Sequence, residues 1–170
     1  IADGVRALAA ASGVEAVGVL SNVDDDLFAG TAAATLLDPR WALTSQRLGA
    51  YKPHREIYHR ANRVAADAGT RLVHVAASAR DVRGALEAGI AVVRLARPGH
   101  AIDPAGPAPG VEITVAGDLP AAVVRAAVPY LWSWVEQQAS YRRATGVQVA
   151  IRGGDEGLLD GGDGGGDGDD

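Results

Sequence analysis

The stretch Ala16-Val17-Gly18-Val19-Leu20-Ser21-Asn22-Val23-Asp24-Asp25-Asp26 decides the fold. Five small or apolar residues run into a Ser-Asn pair and then into three acids. An apolar run of that length without alternation reads as a strand buried on both faces, the habit of parallel sheets. Ser21 and Asn22 then stand at its C-terminal end, where open α/β sheets collect their ligands. Asp24 to Asp26 cap and open a helix, where negative charge is favoured. A Ser-Asn pair also ends strands for turn reasons alone, so the stretch takes its meaning from the motifs later in the chain.

The same alternation continues on both sides. Val5 to Ala11 reads as a short helix stopped by Ser12-Gly13, and Asp25 to Leu37 as a helix ended by Pro39. Trp41 to Thr44 is a short strand and Gly49 to Pro53 a loop. Pro53 suits a first helical position, and His54 to Asp67 continues as a helix with Ile57, Tyr58, Ala61, Val64 and Ala65 inward. Leu72 to Ala76, Ile90 to Leu95 and Val111 to Val115 are further strands, with a helix from Ala79 to Ala88 closed by Gly89. Strands and helices alternating over short turns predict an α/β fold of Rossmann-like type, a parallel sheet with helices on both faces. Pro98 to Gly110, with four prolines and three glycines, is a loop. Leu119 to Gln138 is a helix kinked at Pro129, with Trp132 and Trp134 as packing residues.

These elements divide the chain into a core over 1–118, a helical extension over 119–152 and a Gly/Asp tail over 153–170. The tail lacks the apolar residues that ordering requires. It also lacks the regular spacing of calcium-binding glycine repeats, so it reads as a disordered acidic segment. It hides the balance of the body: seven of the 21 acids lie there, leaving 14 against 16 bases. A body so nearly neutral carries no nucleic-acid footprint. No apolar run reaches the roughly 20 residues of a membrane span, and no signal-peptide pattern opens the chain. Cysteine is absent, which removes disulfides, thiolate metal sites and thiol nucleophiles, and a cytoplasmic location fits. The chain opens on Ile1 and has no methionine, which reads as a segment of a longer product or a trimmed chain.

Three strand ends offer polar groups: Ser21-Asn22, Lys52 in Gly49-Ala50-Tyr51-Lys52-Pro53, and Ser78 with Asp81 after the strand at 72–76. Lys52 is held stiffly by the proline after it. A cation at the positive end of a helix opposes the dipole, so its placement points to a bound anion. Asp81, in the first turn of its helix, is accounted for by the dipole alone.

In this order the motifs resemble the haloacid dehalogenase superfamily, and most of all its 2-haloacid dehalogenase-like branch. The resemblance runs over Ala2 to Pro98 and rests on Ser-Asn, then Thr44-Ser45 with Gly-Ala-Tyr-Lys-Pro, then His74-Val-Ala-Ala-Ser-x-x-Asp-Val-x-Gly-Ala-x-x-Ala-Gly89. It implies a hydrolase that forms a covalent ester on an aspartate nucleophile and acts on a small 2-haloacid or related acid. Ser21 matches the hydroxyl that bonds the leaving or transferred group. Lys52 matches the ammonium that offsets the charge of nucleophile and intermediate. Asp81 matches the carboxylate that helps hold this lysine and the hydrolytic water. Asn22 and Ser78 fall at substrate-binding positions.

The superfamily's phosphatases carry a magnesium-binding acid where this chain has Ala76-Ala77. That favours the metal-free dehalogenase type, with no cofactor, over a phosphatase. The first motif is missing: no strand ending in the nucleophilic aspartate precedes Ala16. The resemblance therefore implies a core without its central strand and cap, with a gap in its sheet and two open strand edges. It leaves two readings: the C-terminal part of a hydrolase whose remainder supplies nucleophile and cap, or a catalytically inactive, decayed or partner-dependent domain. A homodimer is compatible with either.

Overall fold

The computed structural model describes residues 1–102 and 104–128. Trp132, Trp134, the kink expected at Pro129 and the 153–170 tail lie outside these residues. The elements in order are α1 (Ala2–Ala9), β1 (Val19–Ser21), α2 (Asp25–Ala29), β2 (Ala42–Thr44), α3 (Ser45–Leu48), α4 (Arg55–Asp67), β3 (Val73–Ala76), α5 (Ala79–Glu87), β4 (Ala91–Leu95) and β5 (Val111–Ile113). Residues 119–128 form a last helix, α6.

All strand pairs are parallel, as the apolar runs predict. β1 pairs with β2, from Val19 opposite Ala42 to Ser21 opposite Thr44. β3 pairs with β4, from Val73 opposite Ala91 to Ala76 opposite Arg94, and β4 with β5. Both faces are covered. Val92 joins Leu43, Ile57, Tyr58 and Val82 in one core, while its neighbours Val93 and Leu95 join Val111, Leu119 and Ala122 in another. Successive residues of β4 thus bury on opposite sides, and this is why the strand reads as continuously apolar. Its one charged residue, Arg94, is buried too, with its guanidinium paired to Glu112 and donating to the carbonyl of His100.

Among the described residues no strand joins β1 to β3, and the sheet falls into a two-stranded and a three-stranded part. Val17, Val19, Val73 and Val75 from the two sides, with Ala61 and Ala65 of α4, line a groove of about 820 Å³ between them. The expected gap is therefore present. It also corrects the reading of Ala16 to Leu20 as a fully buried strand. The ladder holds only Val19 to Ser21, each residue partly exposed, because one edge has no neighbour. Gly18 is fixed by space, since a Cβ there would lie 2.5 Å from the carbonyl oxygen of Trp41.

Three boundaries differ from expectation for local reasons. The first helix starts at Ala2 rather than Val5 and ends at Ala9. The helix expected over Asp25 to Leu37 stops at Ala29. Gly30 comes next, and Thr31 caps a separate 3-10 turn over Ala32–Thr35 by accepting from the amide of Ala34. Pro53 is not the first helical residue. α4 begins at Arg55 with His54 as its cap, and the Lys52–Pro53 peptide bond is cis. Among the described residues no helix is long and apolar enough to cross a membrane.

Candidate active site

The C-terminal ends of β1 and β3 bring the polar motifs together. After β1, the chain is tied to the start of α3. Thr44 donates to the Asp25 carboxylate, Ser45 Oγ donates to the Val23 carbonyl at 3.1 Å, and the Asp25 amide donates to Gln46 Oε1 at 2.8 Å. Thr44 and Ser45 are buried, so these bonds replace lost water contacts. Asn22 then spans to the lysine loop. Its Nδ2 donates to the Lys52 carbonyl at 2.9 Å, and its Oδ1 accepts from the Lys52 amide at 2.7 Å. One side-chain amide thus clamps both backbone groups of Lys52, and Asn22 fixes where that residue stands. Ser21, the last residue of β1, is partly exposed one position earlier.

The bound anion expected from the placement of Lys52 is replaced by a carboxylate of the same chain, Asp81. Lys52 Nζ donates to Asp81 Oδ2 at 2.8 Å, with side chains 22% and 17% exposed. Asp81 Oδ1 accepts from the Tyr58 hydroxyl at 2.8 Å and lies 2.9 Å from His74 Nε2. Ser78 caps α5 by accepting from the Asp81 amide. Burial disfavours the charge on Asp81, but the bonds and charges of His74 and Lys52 outweigh it. The carboxyl is held well below the usual carboxylate range. Burial, then the bond to Asp81 and its charge, push the Tyr58 hydroxyl above its ordinary range, so it remains a protonated donor.

The sequence pattern marks Tyr58 only as an inward helix position and gives His74 no role. Each carries a signal nonetheless. A tyrosine on the inward face of a helix needs a partner for its hydroxyl, and a histidine on the buried face of a strand needs one for its ring.

The spacing of Asp81 and Gly84 has a steric cause. Three residues apart, they share one face of α5. A Cβ on Gly84 would lie 2.6 Å from Tyr58 Cε2 and 3.0 Å from the Pro53 carbonyl. The glycine lets the tyrosine reach across to Asp81. In a helix interior, Gly→Ala normally stabilises by up to about 1 kcal/mol. Here Gly84→Ala is expected to destabilise by about 1–3 kcal/mol through overpacking, read as a lower urea midpoint.

Among the described residues no three His, Asp or Glu side chains gather as a metal ion would need. Lys52, His74, Ala76, Ala77 and Asp81 all border the groove between β1 and β3. An open apolar groove thus ends at a fixed ammonium and a triply bonded carboxylate.

No family model matches the sequence, and no curated protein matches it. Solved structures do. A dehalogenase determined with an intermediate complex aligns over 69% of this chain and 52% of its own, at 24% identity and a TM-score of 0.55. The L-2-haloacid dehalogenase of Xanthobacter autotrophicus, with chloropropionic acid covalently bound, aligns over 61% and 51% at 24% identity and a TM-score of 0.45. The chain spans about half the length of these structures. The likeness to the first shows that this chain shares the fold of that dehalogenase, a parallel sheet between helical layers.

Proposed function

We propose that this chain is the lysine-bearing part of a hydrolase of the haloacid dehalogenase type, acting on a small 2-haloacid or a related acid. The observation that carries the reading is Lys52. Its backbone is clamped by Asn22 and its ammonium held 2.8 Å from Asp81, at the end of a groove between two open parallel edges.

The nucleophile is an aspartate on a strand seated in that groove, contributed from outside the described residues. Its carboxylate oxygen attacks the halogen-bearing carbon. A C–O bond forms, the carbon–halogen bond breaks, and halide leaves with the bonding pair. Water then adds to the carbonyl carbon of the aspartyl ester, releasing the 2-hydroxy acid and restoring the carboxylate, with one proton passing to solvent. Lys52 offsets the negative charge of the aspartate and of the tetrahedral intermediate. Asp81 holds Lys52 and orients the water. Ser21 bonds the leaving or transferred group, and Ser78 lies on the substrate side at the cap of α5. Asn22 holds Lys52 with one N–H and its carbonyl oxygen, and its second N–H serves the substrate carboxylate or the nucleophile. The scheme draws on side chains alone.

A second reading, an inactive or partner-dependent domain, draws on one observation. Among the described residues, Asp81 is the carboxylate paired with Lys52, and it already carries three bonds. Halide release from 2-chloropropionic acid separates the two. A protein carrying this chain with its nucleophile strand is expected to release chloride and the 2-hydroxy acid in equal amounts. Hydrolysis of a phosphate ester with magnesium, and no halide release, would contradict the proposal.

A further inference from the structure

The ion pair of Lys52 and Asp81 does not by itself require a histidine, yet His74 is buried beside it. Along β3, Val73 and Val75 pack on one core, while His74 and Ala76 are buried on the other side, under α4 and α5. An imidazole placed there loses most of its water, which is costly unless the ring is bonded. Its bond is to Asp81 Oδ1 at 2.9 Å, and Tyr58 meets the ring edge-on with centroids 5.9 Å apart.

Asp81 is thereby held from three elements at once. His74 reaches it from β3, Tyr58 from α4 and Lys52 from the loop before α4. Two donors on Oδ1 fix the plane of the carboxylate, and this decides where Oδ2 points. The Lys52 ammonium has no other hydrogen-bond partner among the described residues, so its position is set by that of Oδ2. On α5 itself, Arg83 pairs with Glu87 and faces solvent. Among the described residues, the charged or titratable side chains that bond Asp81 are Lys52, Tyr58 and His74.

We propose that His74 is a positioning residue of this site, which together with Tyr58 turns Asp81 so that its other oxygen holds the Lys52 ammonium at the end of the groove. The anchoring comes from the geometry, and only its value for catalysis rests on the hydrolase reading above. The ring must then carry its hydrogen on Nε2, because the bond made by one nitrogen sets the state of the other.

Two measurements on the 170-residue chain test this without turnover. The first tracks the Asp81 side-chain carboxyl carbon by NMR against pH in wild type, His74→Leu and His74→Gln. Ionisation in His74→Leu is expected to shift to higher pH, and in His74→Gln, which keeps an N–H donor, to lie nearer wild type. An unshifted His74→Leu with native circular dichroism would overturn the proposal. The second needs no substitution at position 74. Imidazole nitrogen shifts in wild type at pH 8.5 should show hydrogen on Nε2, with that preference lost in Asp81→Ala. Hydrogen on Nδ1 in the wild type would also overturn it. Because neither readout uses turnover, the proposal and the hydrolase reading fail separately.

Discussion

Replacing Asp81 by alanine is expected to destabilise the chain by about 3 kcal/mol at pH 7, the range found when one partner of a largely buried ion pair is removed. The substitution strands three donors. The Lys52 ammonium loses its partner, and the Tyr58 hydroxyl and the His74 ring lose the oxygen they share. Each is largely buried, and an unsatisfied buried group carries much of its desolvation cost. The pH dependence has a definite sign. The folded protein holds this carboxyl below its ordinary range, so the unfolded chain takes up the proton first. The stabilisation is complete above the unfolded value near pH 4 and drains away as pH falls below it. The stability difference between wild type and Asp81→Asn in urea should therefore shrink as pH falls below about 4. A difference that widened below about pH 4 would contradict the assignment of Asp81 as an ionised, multiply bonded group.

In the protein completed with its nucleophile, Lys52→Ala is expected to lower halide release by about 10³-fold, the scale of losing one fixed electrostatic contact to developing charge. The attack places a carboxylate nucleophile at the end of the groove, and ester hydrolysis later develops an oxyanion there. Lys52 brings a cation there among the described residues, with its backbone clamped by Asn22 and its ammonium held by Asp81 before reaction, so little reorganisation is needed when the charge appears. Stopped-flow halide detection reads the loss directly. A rate within threefold of wild type would remove Lys52 from the chemistry and leave it a structural partner of Asp81.

The sheet is legible in the sequence because its strands are buried on two faces. Ile90 to Leu95 has no solvent side, so its apolar run announces a parallel arrangement before any contact is known. Lys52 is legible through its neighbour Pro53 and its conflict with a helix dipole, although the anion it needs proves to be part of the same chain. The gap is legible from the missing first motif. What the chain's local pattern hides is side-chain reach. Tyr58 counts as one more apolar position at helical spacing, and nothing local shows that its hydroxyl meets Asp81, 23 residues on. His74 sits in a strand whose neighbours are apolar, and its partner lies on the next helix. The same limit spoils the helix over Asp25 to Leu37. Periodicity continues past Gly30, but Thr31 satisfies the backbone of a new turn and ends the old one. The burial of Ala16 to Leu20 is overestimated because burial depends on a neighbour strand that the described residues do not contain.

On the hydrolase reading, the groove between β1 and β3 seats a strand ending in an aspartate that faces Lys52. The coding DNA upstream of the Ile1 codon, read in frame, should then encode an apolar run of strand length ending in Asp, followed by a helical cap segment. A stop codon close upstream, with no such strand encoded, would contradict it and leave a domain that does not turn over substrate.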